Sequence, residues 1–245
     1  MGAAGIIVGA GEGKRLAKGL PKALVPIAGK PMFLYSVEAF IRAKTIDSLV
    51  IVLPCGYIED ATKWIPKSSK PIILTKGGKE RFQSVLSALQ YLEKGEGIVA
   101  IHDASRPFVE PDLIDRAVRM AEETGEGVIL ALPVRDTVKY VEDNIVRNTV
   151  DRTRLWLAQT PQVFPSELIR EALKVMPQGF IPTDDAQAVE LYGKRVRVIK
   201  GSELNIKITY PEDIKLAEAI VERLVGSEFS PDGFRTPRIT ENGIC

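Results

Sequence analysis

Histidine and cysteine are almost absent from this sequence, and their scarcity excludes several kinds of catalytic site. The single histidine, His102, excludes a His-rich zinc site and argues against a Ser-His-Asp triad. The two cysteines, Cys55 and Cys245, lie far apart without CxxC spacing, which argues against a disulfide framework and a thiolate metal site. Any catalytic chemistry is therefore expected from other side chains.

The sequence also lacks an excess of either charge and any long apolar run. With 33 Lys and Arg against 32 Asp and Glu, the net charge of +1 argues against a general nucleic-acid or membrane footprint, so a polyanion site must be local. No apolar run approaches the length of a membrane span, and the N-terminus lacks the features of a signal peptide. We expect a cytoplasmic protein with neither nucleic acid nor a membrane as partner.

Short apolar runs typical of strands alternate with longer amphipathic stretches along most of the chain. The clearest helical stripe consists of Phe82, Val85, Leu86 and Leu89, at i, i+3, i+4 and i+7. This alternation predicts an α/β fold with βαβ units and a largely parallel sheet. The predicted strands are 4–8, 48–53, 72–74, 98–102, 128–132, 196–199 and 206–208, and the predicted helices are 32–43, 81–92, 113–123, 165–175, 184–192 and 211–224.

The pattern changes after residue 132, where a β-hairpin is predicted. Segments 138–141 and 145–150 flank a short turn at 142–144, and Trp156-Leu157-Ala158 follows. We interpret residues of about 137–163 as an arm inserted into a single domain of residues 1–225. The remaining residues, 226–245, are rich in turn-forming residues and begin with GSEF, so we expect a disordered tail or a cloning linker.

The glycine-rich stretch VGAGEGKR, residues 8–15, matches neither of two common phosphate-binding patterns. A P-loop requires glycine where Val8 stands and a hydroxyl residue where Arg15 stands. A dinucleotide fingerprint requires a third glycine at the position of Lys14. What remains is a glycine loop beside cations. Its backbone N–H groups could approach a triphosphate, but a strand–turn–helix with a solvated basic face fits equally well.

Motifs along the rest of the chain decide between these interpretations. They follow the loop GAGEGKRL and its Pro21-Lys22 pair in the order GGKERFQSV (77–85), HDASRPF (102–108), VRDTVK (134–139), VDRTRLWLAQTPQVF (150–164), PTDDAQAVE (182–190) and NIKIT (205–209). Together they resemble the 2-C-methyl-D-erythritol 4-phosphate cytidylyltransferase family of the non-mevalonate isoprenoid pathway, over residues 4 to about 222. The departures are Gly9, Ala23 and Lys79, where the family commonly has alanine, glutamine and an acidic residue.

The resemblance implies a fold, an activity and an assembly. The fold is a Rossmann-like nucleotidyltransferase fold, a mostly parallel twisted sheet flanked by helices with an inserted β-hairpin arm. The activity is attack of a sugar-alcohol phosphate oxygen on the α-phosphorus of CTP, giving 4-diphosphocytidyl-2-C-methyl-D-erythritol and pyrophosphate. The assembly is a homodimer in which each arm crosses to the other subunit.

For catalysis the resemblance implicates three cations, Arg15, Lys22 and Lys207. Two anions must meet in this reaction, so charge neutralisation and alignment are the main demands. Arg15 and Lys22 would bind the triphosphate and stabilise the transition state, and Lys207 would lie beside the α-phosphate and the acceptor. Strand alternation at 206–208 is equally compatible with a solvent-facing lysine at position 207.

For the nucleotide and its metal, the resemblance implicates residues at strand ends. Asp103 ends the apolar strand IVAIHD, where α/β sheets bind ligands, and we expect it to hold Mg²⁺; a turn aspartate is the alternative. Arg106 would hold the Asp103 loop or contact the nucleotide. The expected nucleotide contacts are Ala10, Gly11, Gly13, Gly78, Ser84, Asp103, Ala104 and Arg106.

For the acceptor, the resemblance implicates Thr137, Arg152, Thr160 and Thr183. Arginine suits a phosphate dianion, and threonines supply hydroxyl partners to a polyol. From the residues alone, β-propensity would explain Thr137 and Thr160 equally well. Two other functions remain open, a cytidylyltransferase acting on ribitol 5-phosphate and an inactive nucleotide-binding regulator.

Overall fold

The computed structural model describes residues 2–11, 16, 19–92 and 97–228, the last four of them by their backbone alone. Gly13, Lys14 and Arg15 of the glycine loop, and the predicted tail from residue 229 onward, lie outside the described residues. The statements below concern the described part of the chain.

The described residues form a seven-stranded sheet that is parallel except for one strand. Its order is β11-β7-β10-β6-β1-β4-β5, and only β10 runs antiparallel to its neighbours β6 and β7. This confirms the predicted α/β fold with a mostly parallel sheet. The strands are β1 (Ala3–Val8), β2 (Pro26–Ile27), β3 (Lys30–Pro31), β4 (Ile46–Leu53), β5 (Ile72–Lys76), β6 (Ile98–Asp103), β7 (Gly127–Pro133), β8 (Val138–Glu142), β9 (Ile145–Val150), β10 (Trp156–Pro165) and β11 (Val196–Lys200).

Helices cover both faces of the sheet, as apolar strands buried on two sides require. On one face α1 and α4 pack against the sheet through side chains such as Phe33, Phe40 and Ile114, and on the other α3, α5 and α6 do so through Val85, Ile169 and Val189. The helices are α1 (Met32–Arg42), α2 (Ile58–Trp64), α3 (Arg81–Leu89), α4 (Pro111–Thr124), α5 (Ser166–Lys174), α6 (Asp185–Leu191) and α7 (Pro211–Glu228).

Strand β10 differs from the prediction, which placed residues 156–163 in the arm and Pro165 at the start of a helix. It lies between β6 and β7 in the middle of the sheet, where Val163 and Phe164 are fully buried. Residues 156–163 of the predicted arm therefore belong to the main sheet. Two prolines and two glutamines in this ten-residue strand obscure the strand pattern.

The predicted strand at 206–208 is wrong. Residues 205–209 form an extended connection whose backbone joins no ladder. The backbone N–H of Ile208 instead donates to the carbonyl of Ser105 at 2.8 Å. The fully buried Asn205 ties the connection to β10 by donating to the carbonyl of Thr160 at 2.8 Å. Buried and exposed side chains still alternate in this segment, although it belongs to no sheet, because Ile208 is buried while Lys207 is exposed.

The predicted hairpin forms the projecting part of the arm. Strands β8 and β9 pair antiparallel around Asp143 and Asn144, whose positive φ angles of 49° and 62° give the type I′ turn that suits strand twist. Beyond β11, helix α7 continues to Glu228, past its predicted end at residue 224. None of the described helices is long and apolar enough to cross a membrane.

Candidate active site

A pocket of about 760 Å³ opens at the carboxyl ends of the parallel strands. From β1 the chain proceeds to β4 and β5 on one side and then returns to β6 on the other, so the strand order reverses between β1 and β6. Ligands of open α/β sheets bind at such a switch point. The pocket walls are the loops that follow β1, β5 and β6, together with Lys22, Ala23, Lys207 and Thr209.

Two glycine-containing turns approach each other closely in this pocket. A Cβ on Gly77 would lie 2.2 Å from the Cβ of Ala10 and 2.7 Å from Ser84 Oγ, so only glycine allows the turn after β5 to contact the loop after β1. Ser84 Oγ in turn accepts a hydrogen bond from the Gly78 backbone N–H at 3.1 Å. The Ser84 hydroxyl thus shapes the pocket wall by holding the turn.

Asp103, at the end of β6, lies between two cations. Its Oδ1 accepts a hydrogen bond from Arg81 Nε at 2.9 Å, and its Oδ2 accepts one from Lys207 Nζ at 2.8 Å. Burial by itself would raise the pKa of the Asp103 carboxyl, but Arg81 and Lys207 outweigh it and hold that pKa well below its ordinary value. The pocket therefore contains a carboxylate that is ionised at neutral pH.

A buried series of hydrogen bonds holds the backbone of Asp103. Its N–H donates to Thr160 Oγ1 at 3.0 Å, the Thr160 hydroxyl contacts His102 Nδ1 at 3.0 Å, and His102 Nε2 contacts the carbonyl of Arg106 at 2.9 Å. A carbonyl only accepts, so Nε2 carries the proton and Nδ1 accepts from Thr160. Burial lowers the pKa of His102 to about 4, in agreement with this neutral tautomer. His102 therefore has a structural role in holding the Asp103 backbone through Thr160.

Arg106 joins this loop to two other segments. Its guanidinium donates to the carbonyl of Asn205 at 2.8 Å and to that of Ala158 at 3.1 Å. Since Asn205 and Ile208 are both fastened to the main body, the intervening Lys207 is placed at the pocket edge. Arg106 therefore holds the Asp103 loop, which is one of the two roles predicted for it.

The structure brings most of the predicted nucleotide and catalytic residues into one pocket. Those that line it are Ala10, Gly11, Lys22, Gly78, Ser84, Asp103, Ala104 and Lys207. Gly13 and Arg15 lie outside the described residues.

The predicted acceptor residues do not line the pocket of their own chain. Thr160 is buried within the hydrogen-bond series beside Asp103. Thr137 and Arg152 lie exposed on either side of the β8–β9 hairpin. Thr183 is exposed before α6, where its backbone N–H donates to Gln187 Oε1 at 2.7 Å. The role of these four residues in binding the acceptor remains a prediction.

Sequence reasoning left Arg81 without a firm role and gave none to Asp185. Arg81 lines the pocket, and its Nη2 lies 2.8 Å from Asp185 Oδ2. An arginine in the first turn of a helix is disfavoured by the helix dipole. This unfavourable position of Arg81 was the one feature of the sequence that indicated a nearby anion. The exposed Lys79 and two hydroxyl residues, Ser105 and Thr209, also line the pocket.

The described residues contain no cluster of three or more acidic, histidine or cysteine side chains that could hold a metal ion. Asp103 is a single carboxylate, which fits Mg²⁺ only together with other ligands. Mg²⁺ commonly binds one or two carboxylates plus substrate phosphates, so Asp103 suits a metal that arrives with a nucleotide.

Solved structures with the same fold define the class of this protein. The 4-diphosphocytidyl-2C-methyl-D-erythritol synthase of Anaerococcus prevotii aligns with a TM-score of 0.78 at 30% identity, covering 91% of this chain and 99% of that one. The 2-C-methyl-D-erythritol 4-phosphate cytidylyltransferase of Thermus thermophilus aligns with a TM-score of 0.74 at 30% identity, covering 91% and 100%. The fold of this protein is that of a nucleotidyltransferase.

Sequence comparison narrows this class to one family. The family model for 2-C-methyl-D-erythritol 4-phosphate cytidylyltransferase matches residues 3–223. The cytidylyltransferase of that name from Geobacter metallireducens is 40% identical over 224 residues, covering 89% of this chain and 96% of that protein. The one from Caldanaerobacter subterraneus is 38% identical over 228 residues, covering 91% and 100%. The chain belongs to the 2-C-methyl-D-erythritol 4-phosphate cytidylyltransferase family, which confirms the resemblance seen in its motifs.

Proposed function

We infer that this protein transfers the cytidylyl group of CTP to 2-C-methyl-D-erythritol 4-phosphate, releasing pyrophosphate. The observation that carries this inference is the pocket in which Lys22, Asp103 and Lys207 meet, within a family match over residues 3–223. The acceptor phosphate oxygen attacks the α-phosphorus, and the bond from that phosphorus to the bridging oxygen of pyrophosphate breaks.

The side chains of this pocket would promote the reaction by neutralising negative charge and by positioning the reactants. Lys22 neutralises the triphosphate, and Lys207, half exposed at the pocket edge, is available to the α-phosphate and the incoming anion. Asp103 would hold Mg²⁺ together with phosphate oxygens of CTP, and the ion would supply further neutralisation of the phosphate charge. No described side chain needs to form a covalent intermediate for this reaction.

We also propose a homodimer in which the arm of one subunit completes the site of the other. Among the described residues, the hairpin of the arm and the start of β10 carry exposed apolar side chains, namely Val141, Ile145, Val146, Trp156 and Leu157, each between 45% and 60% exposed. Exposed large apolar side chains concentrated in one segment of the chain favour a protein interface. Arg152 lies on the same arm and would bind the acceptor phosphate in the partner's pocket.

The cytoplasmic location of the protein remains a prediction.

The dimer is tested by placing charges on the arm. Val146→Asp together with Leu157→Asp is expected to convert a dimer into a monomer in sedimentation and to lower turnover at least tenfold, since buried unpaired carboxylates oppose association. Leu216→Asp, on an equally exposed leucine of α7, is the matched control and should change neither property. A wild-type monomer with full activity would refute both the dimer and the shared site.

The activity is tested by a pyrophosphate-release assay. The wild-type protein with Mg²⁺ should turn over CTP with 2-C-methyl-D-erythritol 4-phosphate, and more slowly or not at all with ATP, GTP or UTP. Ribitol 5-phosphate is the decisive competitor acceptor. Turnover with ribitol 5-phosphate alone would overturn the acceptor, and no turnover with either acceptor would favour an inactive nucleotide-binding protein.

A further inference from the structure

Arg81, in the wall of the pocket, connects the pocket carboxylate of Asp103 to the buried carboxylate of Asp185. It is the first residue of α3, and its Nε donates to Asp103 Oδ1 at 2.9 Å while its Nη2 lies 2.8 Å from Asp185 Oδ2. Asp185 is the first residue of α6 and is 1% exposed. Arg81 of α3, Asp103 of β6 and Asp185 of α6 therefore form a series of ion pairs, which Lys207 extends at Asp103.

The contacts of Asp185 give little structural reason for burying a carboxylate at this position. Its Oδ2 forms an ion pair with Arg81 Nη2 at 2.8 Å, and among the described residues no other side chain pairs with it. The neighbouring Asp184 already caps α6 by accepting from the Gln187 N–H at 2.9 Å. Burial raises the pKa of Asp185, and Arg81 opposes that rise. A buried carboxylate with so few partners is costly to keep, which points to a role beyond stability.

The two oxygens of Asp103 are held in different ways. Oδ1 faces Arg81, whose planar guanidinium is anchored at both ends by carboxylates. Oδ2 faces Lys207, whose side chain is 47% exposed on a flexible stem. A partner on a flexible, solvated stem exchanges easily, whereas a guanidinium fixed between two anions does not. Oδ2 is therefore the oxygen that can change partners when a ligand enters the pocket.

We propose that Arg81 and Asp185 are positioning residues for Asp103, with Asp185 fixing the Arg81 guanidinium and Arg81 fixing Oδ1 so that Oδ2 is presented to the pocket. This inference rests on the proposed function, because it assigns the pair a part in the same reaction. Neither residue needs to touch CTP or the acceptor. Both act through the orientation of one carboxylate.

A double-mutant cycle tests the pair. Asp185→Asn is expected to lower kcat about tenfold and Arg81→Gln about thirtyfold, as misplacement of a reacting group does. The double variant should be no slower than Arg81→Gln alone, since Asp185 reaches Asp103 only through Arg81. Arg81→Lys retains the charge but not the rigid fork, and should be as slow as Arg81→Gln.

The controls separate positioning from folding and from the proposed function itself. Asp115→Asn neutralises another buried aspartate, one that accepts hydrogen bonds from Thr45 outside the pocket, and should leave kcat unchanged. For Arg81→Lys, which keeps the charge of the pocket, CTP affinity measured by calorimetry should stay within about threefold of wild type, since only alignment is lost. Additive effects in the cycle, normal turnover of Arg81→Lys, or loss of CTP binding in step with kcat would each overturn the proposal. If wild-type protein itself transfers no cytidylyl group, the proposed function fails instead.

Discussion

Replacing Lys22 by alanine should lower kcat about a thousandfold, the loss expected when one preorganised charge facing the developing negative charge is removed. Lys22 lines the pocket and begins a short helical turn whose next two residues, Ala23 and Leu24, are buried. The backbone at Lys22 is therefore fixed by packing, and truncating the side chain leaves the fold intact. The change removes a charge without disturbing the loop that carries it.

Single-turnover kinetics with CTP and 2-C-methyl-D-erythritol 4-phosphate measure this loss directly, with circular dichroism as the check on folding. Arg15→Ala, in the glycine loop, should behave in the same way. Lys63→Ala serves as the control, because Lys63 is 71% exposed and pairs with Asp60 one helical turn away. Near-normal rates in both the Lys22 and the Arg15 variant would defeat the catalytic assignment of this loop.

The second large effect is expected from Asp103→Asn. An amide retains the shape of the carboxylate but is a poor Mg²⁺ ligand, and it leaves Arg81 and Lys207 without their shared anion. We expect kcat to fall by at least about a hundredfold, the range seen when a group aligned with the reacting centre is lost. Binding of CTP without metal should not weaken, because the pocket becomes more positive by one charge.

Two measurements check this prediction independently. Turnover as a function of Mg²⁺ concentration should lose its saturable dependence in Asp103→Asn, and calorimetry in EDTA should show CTP affinity equal to or above that of wild type. A variant that keeps wild-type turnover and the wild-type Mg²⁺ dependence would show that Asp103 is not a metal ligand. Weaker metal-free binding of CTP would show that the carboxylate acts mainly by shaping the pocket.

The sequence was sufficient to predict those elements whose structure depends on a single local pattern of residues. The stripe of Val85 and Leu89 predicted α3, and the turn between residues 141 and 145 predicted the hairpin, because both depend on neighbours in the chain. Strand β10 could not be predicted in the same way. Its interior position is decided by β6 and β7, which are distant in sequence, and its polar residues are satisfied by partners such as Asp184.

By itself, then, the sequence determined the α/β class, the candidate pocket residues and the family, since motifs and periodicity depend only on the order of residues along the chain. Tertiary structure alone decided which charges meet. Arg81, Asp103, Asp185 and Lys207 are separated by long stretches of chain, yet adjacent strand ends and helix starts bring them together. Likewise, Thr160 could be seen as a candidate hydroxyl, but only the fold showed it bonded to Asp103 and His102. The reason is physical: a pair of charges or a hydrogen bond depends on distances in space, which no local pattern records.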